Sequence, residues 1–137
     1  ATLNLSKNKI ADISGLKDMP AITTLNLSEN KVSDVTDMGT KFTTLTTLDL
    51  SKNEIVEVAG LNGLKSLTSI NLSDNKIKSV ADLALAFDPE KLTTLNLSGN
   101  SEINDWSKIT TIYKSVTGKP SSSESSEASS DSSDTSK

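Results

Sequence analysis

The sequence contains no cysteine, no histidine and no arginine, and all 14 of its basic residues are lysines. These absences exclude disulfide scaffolds, the usual zinc sites and every catalytic arrangement built on Cys or His. Eighteen acids give a net charge of −4, which argues against nucleic-acid binding because such surfaces are basic. No apolar run approaches the roughly 18 residues that span a membrane. We therefore expect a small soluble protein of one domain, without cofactor, metal or direct membrane insertion.

The apolar residues are unevenly distributed along the chain. Residues 121–137 contain ten serines, and Ala128 is their only apolar member. This segment carries a charge of −3, whereas residues 1–120, with 13 lysines and 14 acids, carry −1. It buries too little apolar surface to offset its ordering entropy. We predict a folded domain over residues 1–118 and a disordered Ser/acidic tail or linker over residues 119–137.

A repeat of 22 to 25 residues runs through the domain, and its most regular part reads L-x-L-S-x-N-x-[IV]. The five copies are LNLSKNKI (3–10), LNLSENKV (25–32), LDLSKNEI (48–55), INLSDNKI (70–77) and LNLSGNSEI (95–103). This is the pattern of leucine-rich repeats. In L-x-L a polar residue separates the leucines, so a short strand points both leucines to one face. Stacked repeats then share one elongated core that no repeat buries alone.

The predicted fold class is therefore α/β, a leucine-rich-repeat solenoid of five repeats with a short parallel sheet on its concave face. The return legs between strands are short or interrupted by glycine or proline, which favours single 3₁₀ or helical turns. The longest return leg, residues 80–91, favours about two helical turns before Asp88-Pro89. In each repeat the asparagine of the L-x-L-S-x-N pattern is called the key asparagine. An acid recurs four residues after it in the first three repeats, at Asp12, Asp34 and Glu57. We interpret these acids as caps of the following turn rather than calcium ligands. Trp106 and Leu16 are assigned to core columns.

The recurring asparagines have a structural interpretation. The chain turns sharply at the end of each strand, and a buried asparagine supplies both a donor and an acceptor for the backbone groups left there. The sequences Asn-Leu-Ser at Asn4, Asn26, Asn71 and Asn96 match the glycosylation signal, but we interpret them as repeat consensus.

The exposed face of the sheet is the candidate partner-binding surface. We expect it to be concave, because the return legs are bulkier than strands about 4.8 Å apart. The predicted site residues are small and polar: Thr24, Asn26, Ser28, Thr47, Asp49, Ser51, Ser69, Asn71, Ser73, Thr94, Asn96 and Ser98. They include none of the aromatic or arginine anchors common in tight interfaces. At the border of this face, Lys7, Glu29, Lys52 and Asp74 alternate in sign, which cancels the charge along that edge.

The unit ITTLNLSENKVSDVTDM (22–38) resembles the SDS22-like class of leucine-rich repeat, which includes the bacterial internalins and eukaryotic protein-phosphatase regulators. The resemblance covers residues 1–112. It implies a repeat solenoid and, as in internalin-like proteins, a concave face that binds other proteins. Internalin repeats are flanked by a helical cap and often by an immunoglobulin-like domain, and neither flank is present here. The aromatic concave residues common in host-binding internalins are also missing.

The two ends of the chain carry further expectations. Ala1 begins directly in a predicted strand, which would expose an apolar rung. We therefore expect more repeats or a cap before Ala1, and a monomer once that end is capped. Residues 109–120 break the consensus and are predicted to close the solenoid. The serine-rich tail resembles the flexible spacers of Gram-positive surface proteins.

Four functions fit these observations. The first is a non-enzymatic module of a bacterial cell-surface or secreted protein, extracellular and Gram-positive-like, that binds a protein of unknown identity through the concave face. The second is a cytoplasmic SDS22-like regulatory subunit of an enzyme such as a phosphatase. The third is a passive structural spacer, and the fourth is ice binding by the threonine columns. An enzyme is not predicted, because no nucleophile–base pair or pocket-forming motif is present.

Overall fold

Six short parallel strands form one sheet in chain order. The structure is a computed structural model that describes residues 2–13, 22–36, 38–113 and 115–118. The strands are β1 Thr2–Asn4, β2 Thr24–Asn26, β3 Thr47–Asp49, β4 Ser69–Asn71, β5 Thr94–Asn96 and β6 Val116–Thr117. Their register pairs equivalent positions of successive repeats, so that Leu25 lies beside Leu48 and Leu48 beside Ile70. The predicted α/β leucine-rich-repeat solenoid is confirmed.

The sixth strand was not predicted. β6 pairs in parallel with β5 through Leu95 and Val116, and Leu97 N–H donates to the Thr117 carbonyl at 2.7 Å. Residues 109–120 lack the L-x-L-S-x-N pattern, and a strand of two residues is too short to show a period. The sheet therefore extends one strand beyond the five consensus repeats.

One continuous apolar core lies between the sheet and the return legs. From the second repeat onward the leucines of the strand columns are at most 1 % exposed, and Trp106 is buried in its predicted core column. In the first repeat Leu3, Leu5 and Ile10 are only partly buried against this core. Burial of these residues thus depends on a neighbouring repeat, as expected when no unit can bury its own apolar face.

The return legs contain single short helical turns, as predicted. They are α1 Met38–Lys41, α2 Ser107–Thr110 and two 3₁₀ helices, Ala59–Leu61 and Ala81–Leu83. The prediction of about two helical turns in residues 80–91 is wrong, because the helix there ends after one 3₁₀ turn. Val80, Leu83 and Ala86 are all fully buried. This spacing of three residues matches the 3₁₀ period of 3.0 rather than the α-helical 3.6.

Side-chain oxygens cap two of the return legs. Asp34 Oδ1 accepts the Thr36 N–H at 2.9 Å, which confirms the predicted cap, and hydrogen bonds from the Thr36 side chain and backbone lower the Asp34 pKa. In the fourth repeat Ser79 Oγ accepts the Ala81 N–H at 3.2 Å and donates to Asp105 Oδ2 at 2.7 Å. Burial raises the Asp105 pKa, but hydrogen bonds led by the one from Ser79 outweigh it and lower the pKa overall. The capping roles of Asp12 and Glu57 stay predictions.

Tyr113 connects the last return leg to the one before it. Its hydroxyl donates to the Leu83 carbonyl at 2.5 Å and accepts the Phe87 N–H at 3.2 Å. The centroids of the Tyr113 and Phe87 rings lie 5.8 Å apart. Burial raises the pKa of the Tyr113 phenol, because the charged form is disfavoured there.

Several predictions lie outside the described residues. They are the core position of Leu16, most of the first return leg, the residues expected before Ala1, and the tail at 119–137. The domain boundary at residue 118 stays a prediction for the same reason.

Candidate functional site

A row of buried asparagines connects successive repeats. Asn53 is representative: its Nδ2 donates to the carbonyls of Leu27 at 2.9 Å, Leu50 at 3.0 Å and Ser51 at 3.1 Å. Its Oδ1 accepts the N–H of Val32, in the preceding repeat, at 2.9 Å. The same contacts recur throughout the asparagine ladder, which consists of Asn30, Asn53, Asn75 and Asn100. The hydrogen-bonding groups of these side chains are already bonded to the backbone and are not available to a ligand. The structural interpretation of the asparagines is therefore confirmed.

The first asparagine of the series differs from the ladder. Asn8 is exposed, and among the described residues its Nδ2 donates only to the carbonyls of Leu5 at 2.9 Å and Ser6 at 3.1 Å, within its own repeat. It thus provides a natural comparison for the ladder, with the same residue and turn but without the contacts to a preceding repeat.

The strands present two columns of polar side chains on the side opposite the core. In β2, half-buried Thr24 and Asn26 flank fully buried Leu25, and β3 and β4 repeat this alternation. We call these two columns the sheet face. Its hydroxyl column is Thr24, Thr47, Ser69 and Thr94, and its Asx column is Asn26, Asp49, Asn71 and Asn96. Parallel pairing spaces neighbouring members of a column by about 4.8 Å.

The third predicted column does not face the solvent. Ser28, Ser51 and Ser73 are only 9 %, 8 % and 8 % exposed, so the expectation that this column faces the solvent is wrong, and its role in partner binding stays a prediction. The cause is a turn at the end of each strand, in which the serine folds back onto the Asx side chain. In the third repeat the Ser51 N–H and hydroxyl donate to Asp49 Oδ1 at 3.0 and 2.7 Å.

Ser98, in the fifth repeat, makes the same turn but is half-buried. Its N–H and hydroxyl donate to Asn96 Oδ1 at 3.0 and 2.8 Å. The serine column therefore holds the Asx side chains of the sheet face through hydrogen bonds and contributes little exposed surface itself.

These turns fix the orientation of the Asx side chains. Asn26 Oδ1 accepts the Ser28 N–H at 2.9 Å and the Ser28 hydroxyl at 2.7 Å. Within the described residues no hydrogen bond is made by Nδ2 of Asn26, Asn71 or Asn96. The Asx column thus presents oriented donors to the solvent. The Asn-Leu-Ser sequence, which was interpreted as repeat consensus, forms this turn in the structure.

The border of the sheet face has a backbone feature that sequence reasoning missed. In each of the five repeats the residue between the serine of L-x-L-S and the key asparagine has a positive φ. The angle lies between 55° and 60° at Lys7, Glu29, Lys52 and Asp74 and is 79° at Gly99. Gly99 is the residue from which this feature could have been inferred in the sequence, since glycine readily adopts a positive φ. The alternating charges lie on successive repeats as predicted, and these described residues form no ion pairs with one another.

The return-leg side has a pocket of about 350 Å³, which is lined by Thr36, Thr40, Ala59, Gly60 and Asn62. None of these described side chains is titratable. In the described part of the chain, no three His, Cys, Asp or Glu side chains converge as a metal site requires. No helix of that part is long and apolar enough to cross a membrane.

Family comparisons agree with this geometry. The family model for Leucine Rich repeats (2 copies) matches residues 1–38 and 43–85, and a model for a single Leucine Rich repeat matches residues 89–105. The chain belongs to the leucine-rich repeat family. No curated protein matches this leucine-rich repeat sequence significantly.

Solved structures of internalins resemble this leucine-rich repeat protein. An internalin (inlF) from Listeria monocytogenes is 27 % identical with a TM-score of 0.59, over 85 % of this chain, which spans 40 % of that protein. Internalin C2 from the same organism is 24 % identical, with a TM-score of 0.54 over 85 % of this chain and 70 % of its own. The functional domain of Listeria InlJ is 22 % identical, with a TM-score of 0.53 over 76 % and 26 %. The last two similarities show the fold alone.

The internalin-like leucine-rich repeat fold implies a protein–protein interaction module, and such repeats are typically non-enzymatic interaction domains. The chain is thus a repeat protein that resembles internalins. Its assignment to the SDS22-like class stays a prediction.

Proposed function

We propose that this protein is a non-enzymatic interaction module of a bacterial cell-surface or secreted protein, and that it binds a protein partner through the sheet face. The sheet face carries the proposal, because its hydroxyl groups and asparagine Nδ2 groups make no hydrogen bonds within the described residues, while the Oδ1 atoms hold the Asx side chains in one orientation. Within the described residues, the hydroxyls of Thr24, Thr47 and Ser69 make no hydrogen bonds, and the Asx side chains are held by the serine turns. A rigid surface of this kind loses little conformational entropy on binding.

The extracellular setting rests on the likeness to the Listeria internalins and on composition. Absence of cysteine, lysine as the sole basic residue and a serine-rich composition at 119–137 accord with a bacterial surface protein. We propose residues 1–118 as the repeat domain and a monomeric state. A cytoplasmic SDS22-like regulatory subunit and a passive spacer stay alternative predictions.

The hydroxyl column is the better place to block binding. Replacing an Asx residue would remove the acceptor of a serine turn, so a loss of binding could reflect a loss of structure. The hydroxyl-column side chains Thr24, Thr47 and Ser69 lie on the side opposite the core. Within the described residues their hydroxyls make no hydrogen bond that a substitution would remove. A combined change of these three residues to lysine fills the sheet face with three long side chains and leaves the turns intact.

The experiment uses the wild-type and variant proteins as bait for extracellular proteins. The control variant carries the same three added charges at exposed positions outside the sheet face: Ser33, Thr43 and Ser101. We expect a partner that the wild type and the control retain, and that the sheet-face variant loses by at least about tenfold, because interface cores tolerate buried, unpaired charge poorly. Equal retention by both lysine variants would refute binding through the sheet face. Loss of retention by both variants alike would point to net charge instead.

A further inference from the structure

Asp49 is the single charged residue in the two columns of the sheet face. In the register of the sheet it lies between Asn26 and Asn71, which are neutral. It is half-buried in β3, at the middle of the described sheet. The question is whether the fold itself needs a carboxylate at this position.

The other four repeats indicate that the fold does not need a carboxylate here, because each has an asparagine at this position. Asn26 Oδ1 accepts the N–H and hydroxyl of Ser28 at 2.9 and 2.7 Å. Asp49 Oδ1 accepts the equivalent groups of Ser51 at 3.0 and 2.7 Å. The turn therefore uses one oxygen, which an amide supplies equally well. The negative charge of Asp49 is not required for the turn.

The second oxygen of Asp49 is unused. Within the described residues, Oδ2 accepts no hydrogen bond and forms no ion pair, and the serine turn holds the carboxylate in one orientation. Oδ1 is occupied by Ser51, so Oδ2 is the oxygen of this half-buried carboxylate that is open to a donor from another molecule. On both sides the amide groups of Asn26 and Asn71 offer N–H donors, which complement carbonyl oxygens.

We propose that Asp49 is the specificity-determining contact of the sheet face, and that its Oδ2 binds a lysine or arginine side chain of an extended segment of the partner protein. The neighbouring Nδ2 groups of Asn26 and Asn71 donate to carbonyl oxygens of the same segment. This inference rests on the proposed function of the sheet face. It adds that the partner presents a single basic residue, flanked by uncharged polar residues, because the face offers one negative charge between neutral donors.

The test uses two synthetic nine-residue peptides of Gly, Ser and Thr that differ only at the central residue, arginine in one and its uncharged isostere citrulline in the other. Each is titrated into the isotopically labelled full chain at low salt, and affinity is read from chemical-shift changes at residues 47–71. We expect the arginine peptide to bind about fivefold more tightly than the citrulline peptide, a difference that shrinks with added salt.

The matched protein variants are Asp49→Asn and Asp82→Asn, which remove the same charge from the sheet face and from an exposed position of a return leg. Asp49→Asn should abolish the preference for arginine while leaving the unfolding midpoint unchanged, and Asp82→Asn should keep the preference. Equal binding of the two peptides, equal behaviour of the two variants, or no measurable binding of the arginine peptide at millimolar concentration would each overturn the proposal. The two proposals fail separately. A captured partner that the sheet-face lysine variant loses but Asp49→Asn keeps would support binding through the sheet face and remove only the role of Asp49, whereas equal retention by both lysine variants would remove the proposed function itself.

Discussion

Replacing Asn53 with alanine is expected to lower the free energy of unfolding by about 3–5 kcal/mol. The side chain satisfies three carbonyls and one N–H, and all of these bonds are buried or link two repeats. A buried polar group that loses its partner costs about 1–3 kcal/mol, and these losses are not fully additive. Because a domain is stable by only about 5–15 kcal/mol in total, this single change should remove a large part of the stability.

The matched control is Asn8→Ala, which removes the same side chain from the exposed first repeat. In the part of the chain that the structure describes, Asn8 makes two local hydrogen bonds and none to another repeat, so we expect a loss below about 1 kcal/mol. Both values can be measured by urea denaturation followed by circular dichroism. Similar losses for the two variants would mean that the contacts between repeats are not what the ladder contributes.

Replacing Gly39 with alanine should destabilise the protein by about 2–3 kcal/mol, although alanine is the better helix former. Gly39 lies in α1 and faces the next return leg, where a Cβ atom would lie 1.8 Å from the Asn62 carbonyl oxygen and 2.5 Å from its carbon. Helix propensity alone would favour alanine by about 1 kcal/mol. Overpacking typically costs about 1–3 kcal/mol or more, and here the opposing atoms belong to the backbone and cannot rotate away.

The sign of the change makes this prediction decisive. Thr40→Ala, at the adjacent exposed position of α1, serves as the control and should change stability by less than about 1 kcal/mol. Thermal unfolding of both variants beside the wild type is sufficient. A rise in the melting temperature of Gly39→Ala would contradict the close backbone approach between these return legs.

The repeat pattern predicted most of the fold, because the same physical constraint acts five times. Alternation in L-x-L and the key asparagine each leave a signal that recurs every 22 to 25 residues. β6 left no such signal, since two residues show no period and its pairing depends on β5. About two helical turns were predicted for residues 80–91 from the length of this leg before Asp88-Pro89, whereas the structure has one 3₁₀ turn at residues 81–83, because Val80, Leu83 and Ala86 all reach the core at a spacing of three.

The sheet face was predicted in part. Strand alternation correctly placed Thr24 and Asn26 on the side away from the core. It failed for Ser28 and Ser51, because strand alternation no longer applies once the chain turns, and a short hydroxyl there bonds to the Asx side chain two residues earlier. The unused Oδ2 of Asp49 could be identified only once its Oδ1 was assigned to the turn.

The most direct test of the sheet face as the binding surface is a side-chain amide NMR spectrum of the labelled protein with and without a captured partner. Two sets of asparagines in the same chain serve as signal and control, the Asx column and the buried ladder. We expect the NH₂ resonances of Asn26, Asn71 and Asn96 to shift on binding, and those of Asn30, Asn53 and Asn75 to stay in place. Unchanged Asx-column resonances with a shift at Asn62, on a return leg, would contradict binding through the sheet face.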